Sequence, residues 1–149
     1  MRLLVAALAF VIIGLVGYIA VSQGVLSRFT DPKLVQICEE LIKDRLRSPS
    51  TYQRREASQY DNLVSLEKAK EYIPDMTKTQ ERSISEGRSR PTRFEAFIKY
   101  EAANAYGTPV AGLSMCEYFS SSGTLEYANK TNVKIDGKTS TERLIDSLK

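Results

Sequence analysis

The sequence predicts an α+β domain behind an N-terminal membrane anchor, with one long helix packed on an antiparallel meander sheet and a short C-terminal helix closing the chain. Three features carry that expectation. Leu3–Val21, LLVAALAFVIIGLVGYIAV, runs without a charge. Leu34, Ile37, Cys38, Leu41, Ile42 and Leu46 recur at three- and four-residue intervals, which is the period of one helical face. Phe94, Ala96, Ile98, Tyr100 and Ala102 alternate with Arg93, Glu95, Phe97, Lys99 and Glu101, which is the period of a strand with one face inward.

At a helical rise of about 1.5 Å per residue, Leu3–Val21 reaches roughly 30 Å, the thickness of a bilayer's hydrocarbon core. Residues 1–26 are therefore expected to be an uncleaved signal anchor, 27–30 a linker and 31–149 the folded domain. A cleaved leader releasing a soluble domain is the competing reading, because Met1-Arg2 before an apolar run also opens a secretory signal. The run exceeds the usual h-region, and Ser22-Gln23-Gly24 is its best cleavage candidate. Ala20 and Gly24 form one small-x-x-x-small pair, more simply explained as chance in such a segment. Arg2 with the α-amino group nearly balances Arg28 and Lys33 across the run. The short amino end and the cysteine pair favour a domain outside the cytoplasm, in the periplasm of a bacterial inner membrane; a cytosolic domain is the opposite reading.

Beyond the anchor, roughly 120 of the 149 residues remain, enough for one core. The net charge of +3 is dispersed, since Arg54-Arg55 and the Arg88, Arg90, Arg93 series are broken by Glu56, Glu86 and Glu95. A nucleic-acid partner, which selects a one-sided basic stripe, is not expected. Histidine is absent, which removes the commonest metal ligand and the usual general base. No metal, cofactor or catalytic residue is assigned.

Along the domain, Asp31-Pro32 offers an N-cap and a first-turn proline, and Ser48-Pro49-Ser50 stops the helix that follows. Glu39, Glu40, Lys43, Arg45 and Arg47 fill its solvent side. A strand is expected within Thr51–Ser58 and a helix between Tyr60 and Ile73, with Pro74 ending it. Residues 75–90 lack an apolar period and read as a mobile loop. A hairpin follows: Thr92–Ala102, a loop at Asn104–Thr108 containing Gly107, and a more apolar strand from Val110 to Phe119. Leu125–Ala128 and Val133–Ile135 supply one or two short strands, with Asp136-Gly137 as their turn. Thr139-Ser140-Thr141-Glu142 fits a capping box and opens a terminal helix whose apolar positions are Leu144, Ile145 and Leu148.

If Cys38 lies on the helix stripe and Cys116 on the inner face of the second hairpin strand, a disulfide staples the two layers; two buried cytosolic thiols are the alternative. Gly137-Lys138-Thr139 resembles the end of a phosphate loop but lacks the glycine five residues earlier, where Asn132 stands. Ser65-Leu66-Glu67-Lys68 matches a bare S-x-x-K without its companion motifs. Asn129-Lys130-Thr131 is a sequon that matters only in a glycosylating pathway. Glu39-Glu40 reads as a solvated helix face. Tyr100, Tyr106, Tyr118 and Tyr127 cluster in the β half, and Tyr106 and Tyr127 are the interface candidates, since tyrosine adds contact area with little entropy loss.

Leu46-Arg47-Ser48-Pro49-Ser50-Thr51 after a helix, then Asn104-Ala105-Tyr106-Gly107-Thr108-Pro109-Val110 and Cys116, resembles a pattern in small exported or membrane-anchored bacterial and phage proteins of uncharacterised function. Those end a helix in L-[KR]-S-P-S and continue into an N-x-x-G hairpin followed by a Cys strand. The likeness spans roughly residues 34–119, with no counterpart for the 75–90 segment, and implies address and fold.

The function expected is that of a non-enzymatic, single-pass envelope protein that binds another envelope protein, with a phage- or plasmid-type exclusion or immunity factor as one version. The alternative is a histidine-independent envelope hydrolase or transferase, which two convergent carboxylates in an enclosed pocket favour. The sequence assigns no oligomeric state.

Overall fold

A computed structural model describes residues 31–148, so the expected anchor at 1–26 and linker at 27–30 lie outside the described residues. Among the described residues no helix is long and apolar enough to cross a membrane. The α+β expectation holds: among the described residues an antiparallel sheet of four strands in the order β1-β2-β3-β4 combines with four α-helices. The strands are β1 (Gln53–Leu63), β2 (Thr92–Ala103), β3 (Pro109–Ser120) and β4 (Lys134–Ile135). The helices are α1 (Lys33–Lys43), α2 (Leu66–Tyr72), α3 (Lys78–Ser85) and α4 (Ser140–Ser147).

Helix α1 buries Leu34, Val35, Cys38, Leu41 and Ile42 against Ala96, Ile98 and Cys116 of the sheet, with Val133 and Ile135 completing the core. Pro32, with extended backbone, occupies the capping position, so the helix starts one residue later than Asp31-Pro32 suggests. It also ends sooner than Ser48. After the Asp44 N–H bonds the Glu40 carbonyl at 2.9 Å, the i→i+3 bonds Arg45 N–H to Ile42 and Leu46 N–H to Lys43 tighten the chain. That turn frees Arg45 to reach Asp136, 3.0 Å away. Cys38 and Cys116 are fully buried and disulfide-bonded, with S–S 2.00 Å, joining α1 to β3, the first of the two readings the cysteines allow.

The hairpin matches its sequence reading closely. Asn104 organises the loop, its Oδ1 accepting from the Tyr106 and Thr108 N–H groups at 2.9 and 3.1 Å, while Gly107 supplies φ +80°. Asp136 (φ 51°) and Gly137 (φ 82°) make the two-residue turn between Ile135 and Lys138. Thr139 and Glu142 form the expected capping box of α4.

Three expectations are corrected. Strand β1 continues to Leu63 where a helix from Tyr60 was expected, because pairing with β2 runs on to Leu63↔Thr92 and overrides local propensity. The mobile loop expected at 75–90 contains a helix, α3, opened by a capping box in which Thr77 Oγ1 accepts from Gln80 N–H while the Gln80 side chain accepts from Thr77 N–H. Leu125–Ala128 is a turn rather than a strand, and Lys130 ties this connection to α1 through Asp44 at 2.7 Å. The apolar positions of the terminal helix, Leu144, Ile145 and Leu148, are exposed.

Candidate interaction surface

The two faces of the sheet have different fates because directly opposed residues in an antiparallel ladder share a face. The inner face, with Phe94, Ala96 and Ile98 of β2 and Cys116 and Tyr118 of β3, lies under α1 and the loop after β3. On the outer face the same strands line up in rows: Gln53–Glu101–Ala111, Glu56–Lys99–Leu113, Ser58–Phe97–Met115, Tyr60–Glu95–Glu117 and Asn62–Arg93–Phe119. The last row carries a lid, the Tyr72 ring from the end of α2, stacked on Phe119 at 4.5 Å and 4°.

The middle of this outer face is apolar. Phe97 lies opposite Met115, Tyr60 meets Phe97 edge-on at 6.1 Å, and Leu113 in the next row is 64% exposed. Charges flank it on both sides and pair within the chain. Towards the hairpin, Lys99 contacts Glu56 at 2.7 Å and Arg55 contacts Glu101 at 2.5 Å. Towards α2, Arg93 contacts Glu95 at 3.0 Å and Glu117 at 3.9 Å, and Asn62 donates to Glu95 at 3.0 Å. The hydrogen bond from Arg55 holds the Glu101 carboxyl below its ordinary range, and the one to Glu56 raises the Lys99 ammonium. Beyond Glu101 the face opens into a groove of about 460 Å³ bounded by Gln53, Ala103, Gly107 and Pro109.

Comparisons with family models, characterised proteins and solved structures find no match. What the surface does has to be argued from its own residues.

The tyrosines singled out from sequence are exposed, Tyr106 at 92% and Tyr127 at 68%, but sit on connections at opposite ends of β3. The structure does not combine them into one surface. Phe97, Leu113, Met115 and Tyr60 form the patch instead, and its signal was present. Phe97 stands in the charged register of β2, and β3 is apolar on both of its alternations. A strand apolar on both sides is built to be covered on both.

The remaining motifs resolve into structure. Ser65 caps α2, its Oγ accepting from the Lys68 N–H at 3.4 Å. Lys138-Thr139 links the Asp136-Gly137 turn to the α4 cap, and the Lys138 ammonium contacts Asp146 at 2.6 Å. Asn129 Oδ1 accepts from the Thr131 N–H at 2.9 Å within a turn. Glu39 is corrected from solvated to buried: it accepts from Tyr52 at 3.0 Å and contacts Arg54 at 3.4 Å. Burial, and then the neighbouring Glu39 carboxylate, push the Tyr52 hydroxyl far above its ordinary pKa, so Tyr52 stays a donor to Glu39. Among the described residues no three potential metal-ligating side chains converge.

A second cleft, about 230 Å³, opens beside α3 between Ile73 and Ile84, with Thr79, Gln80, Ser83 and Ser89 around it. No ionisable side chain lines it.

Proposed function

We propose that the chain is a single-pass, membrane-anchored bacterial envelope protein whose disulfide-linked domain acts outside the cytoplasm as a non-enzymatic protein-binding module. The observation that carries the binding role is the apolar centre of the outer sheet face, Phe97 with Tyr60, Leu113 and Met115, ringed by charges that neutralise one another. A contact patch wants a desolvatable middle and a polar rim. The address is supported separately: Leu3–Val21 is long and apolar enough to anchor, and a buried cystine suits an oxidising compartment. The likeness to small exported or anchored proteins agrees with that address. The sequence-expected interface at Tyr106 and Tyr127 is replaced in this reading by the sheet face.

Two measurements on the full chain test it. Reporter fusions at Lys149 should read as periplasmic, and a cytoplasmic readout overturns the address. A photo-cross-linking phenylalanine at position 97 should yield a discrete protein adduct in native membranes, whereas the same group at Tyr106 should not. Absence of any adduct from position 97 overturns the binding role.

A further inference from the structure

We infer that the outer sheet face docks on the same face of a second copy of this chain, through a two-fold axis that crosses β2 at Phe97. The inference rests on the reading of this face as a protein-binding surface and names its partner. It does not depend on the anchor.

The argument begins with the order of charges along β2. The outer-face residues are Arg93, Glu95, Phe97, Lys99 and Glu101, so the signs run plus, minus, neutral, plus, minus. Reversing the strand about Phe97 converts each charge into its opposite. A two-fold interface brings residue i of one copy to residue j of the other and j to i, so a row of charges pairs with its own copy when its signs are antisymmetric about the axis. With the axis lying between the sheets and across the strands, Arg93 of one copy faces Glu101 of the other. Glu95 faces Lys99, and Phe97 faces its own symmetry mate. Both charge pairs occur twice.

The charge antisymmetry is carried by β2 alone: on the neighbouring strands the same operation sets Glu56 against Tyr60 and Glu117 against Leu113. Met115 and Ser58 share the row of Phe97, so each meets its mate near the axis. At the Arg93 end of β3 the Tyr72 ring stands on Phe119, and the operation, which keeps β3 over β3, brings that ring to the open end of the mate's β3 at Ala111.

Three cations, Arg55, Arg93 and Lys99, stand on this face against four carboxylates, Glu56, Glu95, Glu101 and Glu117. So nearly balanced a face does not select a strongly charged partner. It does suit another nearly neutral face with the same pattern. Sheets stacked face to face sit about 10 Å apart, close enough for phenylalanine and methionine side chains to interdigitate at the centre.

The test uses the full chain in its own membranes, with the photo-cross-linking phenylalanine at position 97. The expected product is a self-adduct of twice the chain mass. Glu95→Lys and Lys99→Glu each place like charges across the axis, twice per dimer, and each should cut the self-adduct roughly tenfold. Combined, E95K/K99E restores opposite signs and should recover most of the yield. Retention of the Cys38–Cys116 bond in every variant, read by non-reducing mobility, controls for folding. An adduct only with a different protein overturns the two-fold inference and leaves the binding role standing; no adduct at all overturns both. A self-adduct that ignores the single reversals, or that the double variant fails to restore, overturns the inference as well.

Discussion

The inner and outer faces of one sheet, built from alternate residues of the same strands, differ in what limits them. On the inner face Ile98, Ala96 and Cys116 are sealed under α1, and the cystine fixes the distance between the layers. On the outer face Phe97, one residue from Ile98, faces solvent among exposed ion pairs. Such pairs contribute little to folding, about 0–1 kcal/mol each. Stability therefore resides on one side of the sheet, and the other side is free to serve contact. Substitutions on the two faces should separate folding from binding.

The largest effect belongs to the staple. Closing a loop across a sequence separation of 78 residues is worth about 4–5 kcal/mol by the chain-entropy relation. Cys38→Ala with Cys116→Ala should lower the thermal midpoint by roughly 15–25 °C in circular dichroism. A loss of only a few degrees would mean that the reduced chain is already constrained by α1 packing. Next come two neighbours on β2. Ile98→Ala empties a fully buried site and should cost about 2–5 kcal/mol. Phe97→Ala removes a partly buried ring and should cost less than Ile98→Ala, about 1–2 kcal/mol, while abolishing adducts formed from positions beside it. Equal losses of stability in the two variants would break the division between faces.

How much of this division was legible depends on which residues carry it. The hairpin from Thr92 to Ser120 could be read almost to the residue, because its alternation is written in its own side chains. The α4 cap was equally local. Strand β1 was not, since an edge strand with polar residues on both faces has no hydrophobic period, and its identity comes from β2. Helix α3 has little apolar period, although Thr77 and Gln80 stood at the capping-box spacing. Glu39 misled for a physical reason: its partners Tyr52 and Arg54 reach it from beyond the helix, and nothing near it in sequence announces burial. The outer patch was half visible, in Phe97 and in the two apolar alternations of β3. That no described helix covers it is a property of the topology.

Gly112 offers a smaller test, on the inner face. A Cβ built there falls 2.4 Å from Cζ of Tyr100, whose ring lies over the glycine and meets Tyr52 at 5.5 Å. Gly112→Ala forces that ring aside and disturbs the Tyr52–Glu39 hydrogen bond behind it. A loss of about 1–3 kcal/mol in denaturant unfolding is expected, typical of overpacking. Tyr100→Ala combined with Gly112→Ala should cost less than the sum of the separate changes, because the clash disappears with the ring. Additive losses would show that the close approach carries no weight.

The smallest effect lies at the far end of the chain. Glu142 accepts from the Thr139 N–H at 2.7 Å and from its hydroxyl at 2.9 Å, and the backbone bond is the larger cause holding its carboxyl below the ordinary range. A carboxyl whose pKa is lower folded than unfolded binds fewer protons in the native state, so stability rises with pH where the two states differ. The contribution is fully present above the unfolded value, about 4.3 for glutamate, and fades as pH falls through the lower folded value. Since Glu142 is solvent-exposed, the change should be confined to α4 and register as fraying rather than global unfolding. After allowance for the intrinsic pH dependence of exchange, protection of the Glu142 and Arg143 amides in the wild type should fall as pH drops below the unfolded glutamate value. Glu142→Gln keeps an acceptor for the Thr139 N–H and should flatten that dependence. An unchanged profile in the variant would show that the Thr139–Glu142 pair does not set the acid sensitivity of this helix.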